Sequence, residues 1–450
     1  MSQPTERSET ARRKPSQQEL ATIVSQHRAY VSRRHGGVRA SFKFLDLSHV
    51  DFSGLDLGEA DFTGAKLFGA RLNAANLMQA TLYGTDLRLA NLTGTVLTRA
   101  DLRGACLRGA ILSDAQLMEA DLRDGTLLQV GQGGVMNSVN EEIIKVTTEM
   151  TCATVRSADL SRARVSGAFL MQTDLTDAVL RGTKFVRANM SNADLTGCDL
   201  TGSDLTECNL TGACLTGAVL TGAMLDDAKL ANAMLVGAIL DADQRGLAAA
   251  GGAVLATKIE ESGLSLPDIL ASHALWTDSG GKHGARADLS TFDLTGANLA
   301  GAKLAAALLH SATLSGARMS GASLALTEMA LADLRGADLS HADLRGAGLE
   351  RATLTGADLT GAELFPVHIQ SGSGHTWRSN LKRARLNRCR LVKADLRGAN
   401  LVEADLRDAD LTGANLTGAD LTDADLTGAT IAQAQLQEAR LDGAKGLPRR

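Results

Sequence analysis

The residues able to do chemistry are plentiful in this chain, but their spacing does not gather them. Aspartate dominates stretches such as ADLTGANLTGADLTDADLTGA (409–429). Carboxylates act as general acid and base when two of them converge on one bond. Here they return at multiples of five, just before a large apolar residue, which strings them out as solvated or hydrogen-bonded ladders. The 9 histidines are scattered. His27 and His273 lie on apolar faces, where packing is the expected role, and His368 and His375 flank a Gly-rich loop with no carboxylate or thiol set beside them. The segments SGSGHT (371–376) and VGQGGV (130–135) have the glycines of a phosphate loop without its Gly-Lys-Ser/Thr ending or its strand-to-helix setting. Six cysteines (Cys106, Cys152, Cys198, Cys208, Cys214 and Cys389) make no CxxC pair. No Ser-His-Asp or Cys-His arrangement is evident. The sequence thus assigns no catalytic, cofactor-binding or metal-binding residue, and no cofactor.

Basic residues form the one grouping with chemical meaning. Arg156, Arg162 and Arg164 cluster in the first half of the chain, and Arg378, Lys382, Arg383, Arg385, Arg388, Arg390 and Lys393 in the second. The candidate interaction patch is Arg162, Arg164, Lys382, Arg383, Arg385, Arg388 and Arg390. Such a patch suits a phosphate, an acidic protein surface or a lipid headgroup. The alternative is a solvated face balanced by neighbouring aspartates.

The elements that position these residues follow from a period of five. From Phe42 a large apolar residue recurs at every fifth position to Leu127, then from Val155 to Leu240, from Leu289 to Ile369 and from Leu381 to Leu441. A small residue, usually Ala, sits two positions earlier, with Asp or Asn between. Periods of 3.6 and 2.0 both fail to hold such a pattern on one face. A short extended segment followed by a tight turn does hold it. Four such segments close a square coil of about 20 residues, and coils stack at roughly the 4.8 Å strand spacing. A core one Leu and one Ala deep has no room for rings, which accounts for an aromatic content of 3% in 450 residues that are 44% hydrophobic. Cys198, Cys208 and Cys389 occupy the small inward slot, as expected of reduced thiols.

These A(D/N)LxG units resemble the pentapeptide-repeat proteins. The resemblance covers 66 units of the chain and implies an all-β fold, a right-handed quadrilateral β-helix.

A second motif occurs twice. Residues 16–33 and 265–277 each read as a short amphipathic helix with a capping box, Ser16 with Glu19 and Ser265 with Asp268. At a constant offset Leu20, Ile23, His27 and Tyr30 match Leu266, Ile269, His273 and Trp276. A Gly-containing turn and an Arg-Ala pair follow each, a leader that looks like one on some bacterial pentapeptide-repeat proteins of unassigned function. The chain therefore reads as a duplication after a disordered tail (1–15). Module 1 spans 16–246, with cap helix 16–33, repeats 40–127 and 153–242, and insertion 128–152. A linker covers 247–264. Module 2 spans 265–446, with cap helix 265–277, repeats 287–369 and 379–443, and insertion 370–378. The eight matched helix residues are expected to cap the coil ends against edge pairing.

Charge and composition narrow the function. The formal net charge of −5, from 46 basic and 51 acidic residues, gives no field favouring nucleic acid, so direct nucleic-acid binding is not expected. The weakly apolar stretch 247–256 is too short to span a bilayer. The first residues lack a secretory core, and a cytoplasmic protein is expected. The leading expectation is a non-catalytic scaffold that docks proteins of unassigned identity, its last coil left open to end-to-end homodimerisation. One alternative, implied by the resemblance, is a DNA-mimicking modulator of gyrase. That role asks for a strongly acidic rod, and arginines at the turn position (Arg88, Arg103, Arg123, Arg345 among them) interrupt the acidic ladders. A secreted effector using the repeats for targeting is the other.

Overall fold

A computed structural model describes residues 12–128, 143–368 and 376–447. The chain forms two compact units, one of Met1–Met234 with Leu240–Ala253 and the other of Leu235–Ile239 with Val254–Arg450. Each is a stack of coils joined by single-residue parallel rungs, and the rung partner lies 20 residues on, as in Asp46↔Lys66↔Asp86. Four rungs per coil define four sides. In unit 1 they run from Ser41 (side A), Asp46 (side B), Asp51 (side C) and Asp56 (side D). In unit 2 they run from Asp288 (A), Asp293 (B), Asn298 (C) and Lys303 (D).

The consensus follows from where each backbone N–H goes. In the repeat 61–65, Asp61 N–H donates to Ala40 O in the previous coil (3.0 Å), and Phe62 and Gly64 N–H donate to Thr81 O (2.7 Å) and Tyr83 O (2.8 Å) in the next. Ala65 N–H closes a turn onto Phe62 O (2.9 Å). That leaves Thr63, whose N–H donates to the Asp61 side chain (3.0 Å). All five donors are satisfied, and the last requires a short side chain with an acceptor oxygen, which is why Asp or Asn precedes the large residue. The sequence reading had these side chains as ladders along the stack. Most instead accept from their own turn, because that donor is two residues away and otherwise orphaned. Cross-coil contacts such as Asn76 Nδ2 to Asp56 Oδ1 (2.9 Å) are additions.

Glycine is needed at one place in the turn. Its third residue has φ near +60°, as at Gly64 (+64°), the mark of a type II turn. Where another residue stands there, as His49 does (φ +61°), the backbone bears a left-handed conformation costing roughly 1 kcal/mol. Inside, Leu47, Leu67, Leu87 and Leu107 are fully buried in one stack, with Ala60, Ala80 and Ala100 in another. Phe fits the large slot: Phe42 and Phe62 stack with ring centres 4.7 Å apart. Hydroxyls and thiols in the small slot donate to a carbonyl of the preceding coil, as Thr183 does to Leu160 O (2.7 Å) and Cys208 to Phe185 O (2.7 Å).

Helix α1 (Gln17–Val31) starts at Ser16, whose side chain accepts from Glu19 N–H, and α3 (Leu266–Asp278) at Ser265, which accepts from Asp268 N–H. The strands outside the rungs are short. β1 (Gly125–Leu128) pairs antiparallel with β2 (Ile143–Val146), and β5 (Val367–His368) with β6 (Thr376–Trp377), so each insertion is rooted in a two-stranded stem. The first stem takes up Leu127, and the coil resumes by Thr148, with Met150 fully buried. Ile369 lies outside the described residues.

Two segments differ from expectation. Residues 12–15, read as part of a disordered tail, are placed on the coil: Arg13 makes a rung with Leu45 and its carbonyl accepts from Asp46 N–H (2.9 Å). Residues 247–264, read as a linker, hold the end of α2 (Ala242–Ala250), the strand β3 (Thr257–Lys258) paired with β4 (Phe292–Asp293), and a 3-10 turn at Ile259–Ser262. The helix forms because Asp241 and Gln244 make a capping box, which an Ala/Gly-rich stretch hides. Gln244 is buried, and its Nε2 donates to Leu220 O and Ala223 O (both 2.7 Å), carbonyls near the end of unit 1.

Candidate interaction surface

The coil geometry decides which side chains meet. Successive repeats lie on successive sides, so residues five apart in sequence point in different directions and residues 20 apart are neighbours. The basic run of unit 2 is dispersed accordingly. Lys382 and Arg383 sit at the corner after side A, Arg385 on side B, Arg388 at the next corner and Arg390 on side C. Arg383 pairs with Glu403 (2.6 Å) and Arg390 with Asp358 (3.3 Å). The expected single patch is therefore a girdle around one coil, partly neutralised from the coils on either side. In unit 1 Arg162 occupies the corner after side D, 3.5 Å from Glu119, which also pairs with Arg99 (2.7 Å). Arg164 lies on side A, in the ladder between Asp121 and Lys184.

The turn arginines are held by their own repeats. In each Asp-Leu-Arg repeat the guanidinium folds back on the aspartate two residues earlier while the Arg N–H donates to the same carboxylate. Arg103 with Asp101, Arg123 with Asp121 and Arg345 with Asp343 all show this, at 2.7–2.9 Å from the side chain. Burial alone pushes the Asp121 and Asp343 carboxyls up, but the arginine and the turn N–H more than offset it and hold both below the usual carboxylate range. Arg103 is raised in turn, chiefly by its hydrogen bond to Asp101. Several of these guanidiniums lie over a ring at the same corner. Arg103 stands 5.1 Å from the Tyr83 ring, and Arg345 and Arg397 lie 5.4 and 5.0 Å from Phe365. Both stacks are beside an insertion stem.

A grouping the sequence reading missed lies on side A of unit 1. Arg164 makes a rung with Lys184. At the adjoining corner Arg103, Arg123, Asp124, Ser166, Gly167 and Arg187 line a shallow depression. These residues are dispersed over 85 positions of sequence and gather only through the coil (103–187). The signal that finds them is the 20-residue spacing of Arg103 with Arg123 and of Arg164 with Lys184.

The helix residues matched between the two halves occupy equivalent places. His27 and His273 are completely buried, and their Nδ1 atoms accept from Ala40 and Ala287 N–H, both at 3.0 Å. Each ring stacks on the aromatic three residues later, His27 on Tyr30 at 5.7 Å and His273 on Trp276 at 5.4 Å. Tyr30 Oη donates to Glu59 (2.8 Å). Leu20 and Ile23 are half-buried, and Leu266 and Ile269 pack against the core of unit 2. Gly37 and Gly284 follow, and a Cβ at either would collide with the helix backbone.

Among the described residues no group of three or more His, Cys, Asp or Glu could hold a metal ion. The Cys208 and Cys389 thiols are pushed up to about 12, mainly by burial, and so stay protonated. His368 Nδ1 meets the Thr376 hydroxyl (3.1 Å). His375, the loop VGQGGV and most of SGSGHT lie outside the described residues. Among the described residues no helix is long and apolar enough to cross a membrane.

Comparison with known proteins adds the following. A family model described as Pentapeptide repeats matches residues 38–124, 155–241, 286–325, 332–365 and 379–443. A pentapeptide repeat protein from the Arabidopsis thaliana thylakoid lumen is similar at 26% identity over 26% of this chain and 66% of its own, with a TM-score of 0.21. HetL, a pentapeptide repeat protein involved in heterocyst differentiation regulation from the cyanobacterium Nostoc sp. strain PCC 7120, is 23% identical over 97% of this chain and all of its own (100%), with a TM-score of 0.18. QnrB1, a plasmid-mediated fluoroquinolone resistance protein, is 18% identical over 47% of this chain and 94% of its own, with a TM-score of 0.27. No curated protein matches.

Proposed function

The chain belongs to the pentapeptide-repeat family, and from that premise we propose that it is a non-catalytic scaffold that docks other proteins on the sides and corners of its coils. The observation that carries this reading is the fixing of surface charge. A backbone whose turn donors are satisfied where Asp or Asn opens the repeat is stiff, and the Asp-Leu-Arg repeats lock guanidiniums at set corners, as in Arg103, Arg123, Arg345 and Arg397. Pre-organised charged and aromatic side chains lose little entropy on binding, which favours recognition. The reading takes the coil as right-handed, after the family resemblance, and α1 and α3 as caps on the first coils of two duplicated modules. It places the protein in the cytoplasm and leaves the far end of unit 2, where Ile431, Leu436 and Leu441 are only half-buried, available for end-to-end pairing.

Mimicry of DNA is not favoured. Carboxylates chelated by the arginine of the same repeat do not present a continuous acidic face. Photo-crosslinking from corner positions tests the scaffold reading: adducts to a folded partner from neighbouring corners of one side support it. Conversion of a substrate by the purified full chain would overturn it.

A further inference from the structure

The rungs of the two units join many residue types, and among the described residues only one joins two cations: Arg164 and Lys184 on side A of unit 1. Like charges directly opposite in a ladder repel, and both side chains are exposed and make no ion pair among the described residues. Carboxylate rungs such as Asp101↔Asp121 relieve the same problem with their own turn arginines. Asp121 and Asp204 hold the rungs on either side, Asp121 already taken by Arg123, and neither comes within ion-pair distance of these two cations. Arg187 stands at the corner beside it, equally exposed and unpaired, and the outer edges of Arg103 and Arg123 continue the strip. Five cations against Asp101, Asp121 and Asp124 leave the strip positive over three coil steps, about 14 Å at the strand spacing.

We propose that this strip binds an acidic peptide segment of a partner protein. The proposal rests on the docking reading above and names its surface and the partner's chemistry. Length selects the occupant. The next coil carries Asp204 in the rung after Lys184, and Glu207 follows Arg187 at the corner. A polynucleotide backbone running on along the axis meets those carboxylates, whereas a segment of four or five extended residues ends before them. Its carboxylates supply the counter-charges that Arg164, Lys184 and Arg187 lack, and the depression beside Ser166 receives a side chain.

The test uses the full chain and a fluorescein-labelled octaglutamate, any four or five consecutive residues of which can occupy the strip while the rest extend into solvent, followed by anisotropy. The parent binds, and Kd rises about tenfold between 50 and 250 mM NaCl. The triple variant Arg164→Glu, Lys184→Glu, Arg187→Glu weakens binding at least about tenfold, and the neutral pair Arg164→Gln with Arg187→Gln, which removes the repulsive rung and keeps Lys184 opposite Asp204, weakens it at least about threefold and melts no lower than the parent. A control triple on the girdle of unit 2, Lys382→Glu, Arg388→Glu, Lys393→Glu, stays within about twofold. Equal binding by parent and first triple overturns the proposal, as does equal loss in both triples. Tighter binding of a labelled oligothymidylate than of octaglutamate, lost in the first triple, overturns it in favour of a nucleic-acid site. Partner crosslinks confined to other sides, with no octaglutamate binding, overturn the strip while leaving the scaffold reading intact.

Discussion

Acidification should loosen the two helix-to-coil contacts in a narrow pH window, and the effect can be worked from two imidazoles. Burial lowers the pKa of His27 and of His273 below the ordinary value of 6.5. Around His27, Asp56 and Glu59 oppose the shift and Arg39 assists it; around His273, Arg286 assists it while backbone acceptors oppose it. Each Nδ1 is the acceptor for an amide of the first coil, so a proton there sets a donor against Ala40 or Ala287 N–H. The folded state therefore binds fewer protons than the unfolded one, and stability is whole above 6.5. Below 6.5 it is lost at up to ~1.4 kcal/mol per pH unit per imidazole, until the folded-state pKa is reached. The shifted carboxylates titrate lower and leave the window from 5 to 6.5 to histidine. Hydrogen exchange at Ala40 and Ala287, corrected for intrinsic rates, should show protection flat from pH 8 to 6.5 and falling up to about tenfold per unit beneath it. His27→Asn with His273→Asn puts an amide oxygen near each Nδ1 and removes the titration. That variant should keep protection at pH 7.5 and lose the slope. A parent without the slope, or a double variant that retains it, refutes the reasoning.

Three further outcomes follow from the same contacts. Gln244→Ala deprives the Leu220 and Ala223 carbonyls of a buried donor; a loss of about 2 kcal/mol, read as faster exchange confined to the last coils of unit 1, is expected. Arg164→Gln removes the cationic rung at the end where Asp121 is already held by Arg123, leaves Lys184 opposite Asp204, and should stabilise unit 1 by about 0.5 kcal/mol in denaturant titration. In native protein, iodoacetamide should label exposed Cys152 quickly and spare buried Cys198, Cys208 and Cys389 until the chain unfolds.

The repeat was legible because its period matches no other backbone: a large residue every fifth position specifies the coil, and Leu47 and Ala60 lie inside where the pattern puts them. The paired helices were legible through their constant offset, His27 with His273 and Tyr30 with Trp276. The reason for the aspartate was not, since only the full list of backbone donors shows Thr63 depending on Asp61. The basic patch was misjudged for a related cause. Contiguity from Lys382 to Arg390 suggests one surface on a strand or helix, but a coil that turns every five residues spreads such a run over several sides. Conversely Arg103, Arg123, Arg164, Lys184 and Arg187 look unrelated in sequence until they are written in columns of 20. Helix α2 stayed hidden because its capping box opens onto alanines with no apolar stripe.

The scaffold account is tested most directly by following a partner through one cycle of binding. The full chain, mixed with a partner identified by corner crosslinking, should sediment as a defined complex and release that partner with its intact mass unchanged. A partner recovered with altered mass, or the absence of any complex at micromolar concentrations of both proteins, would contradict the account.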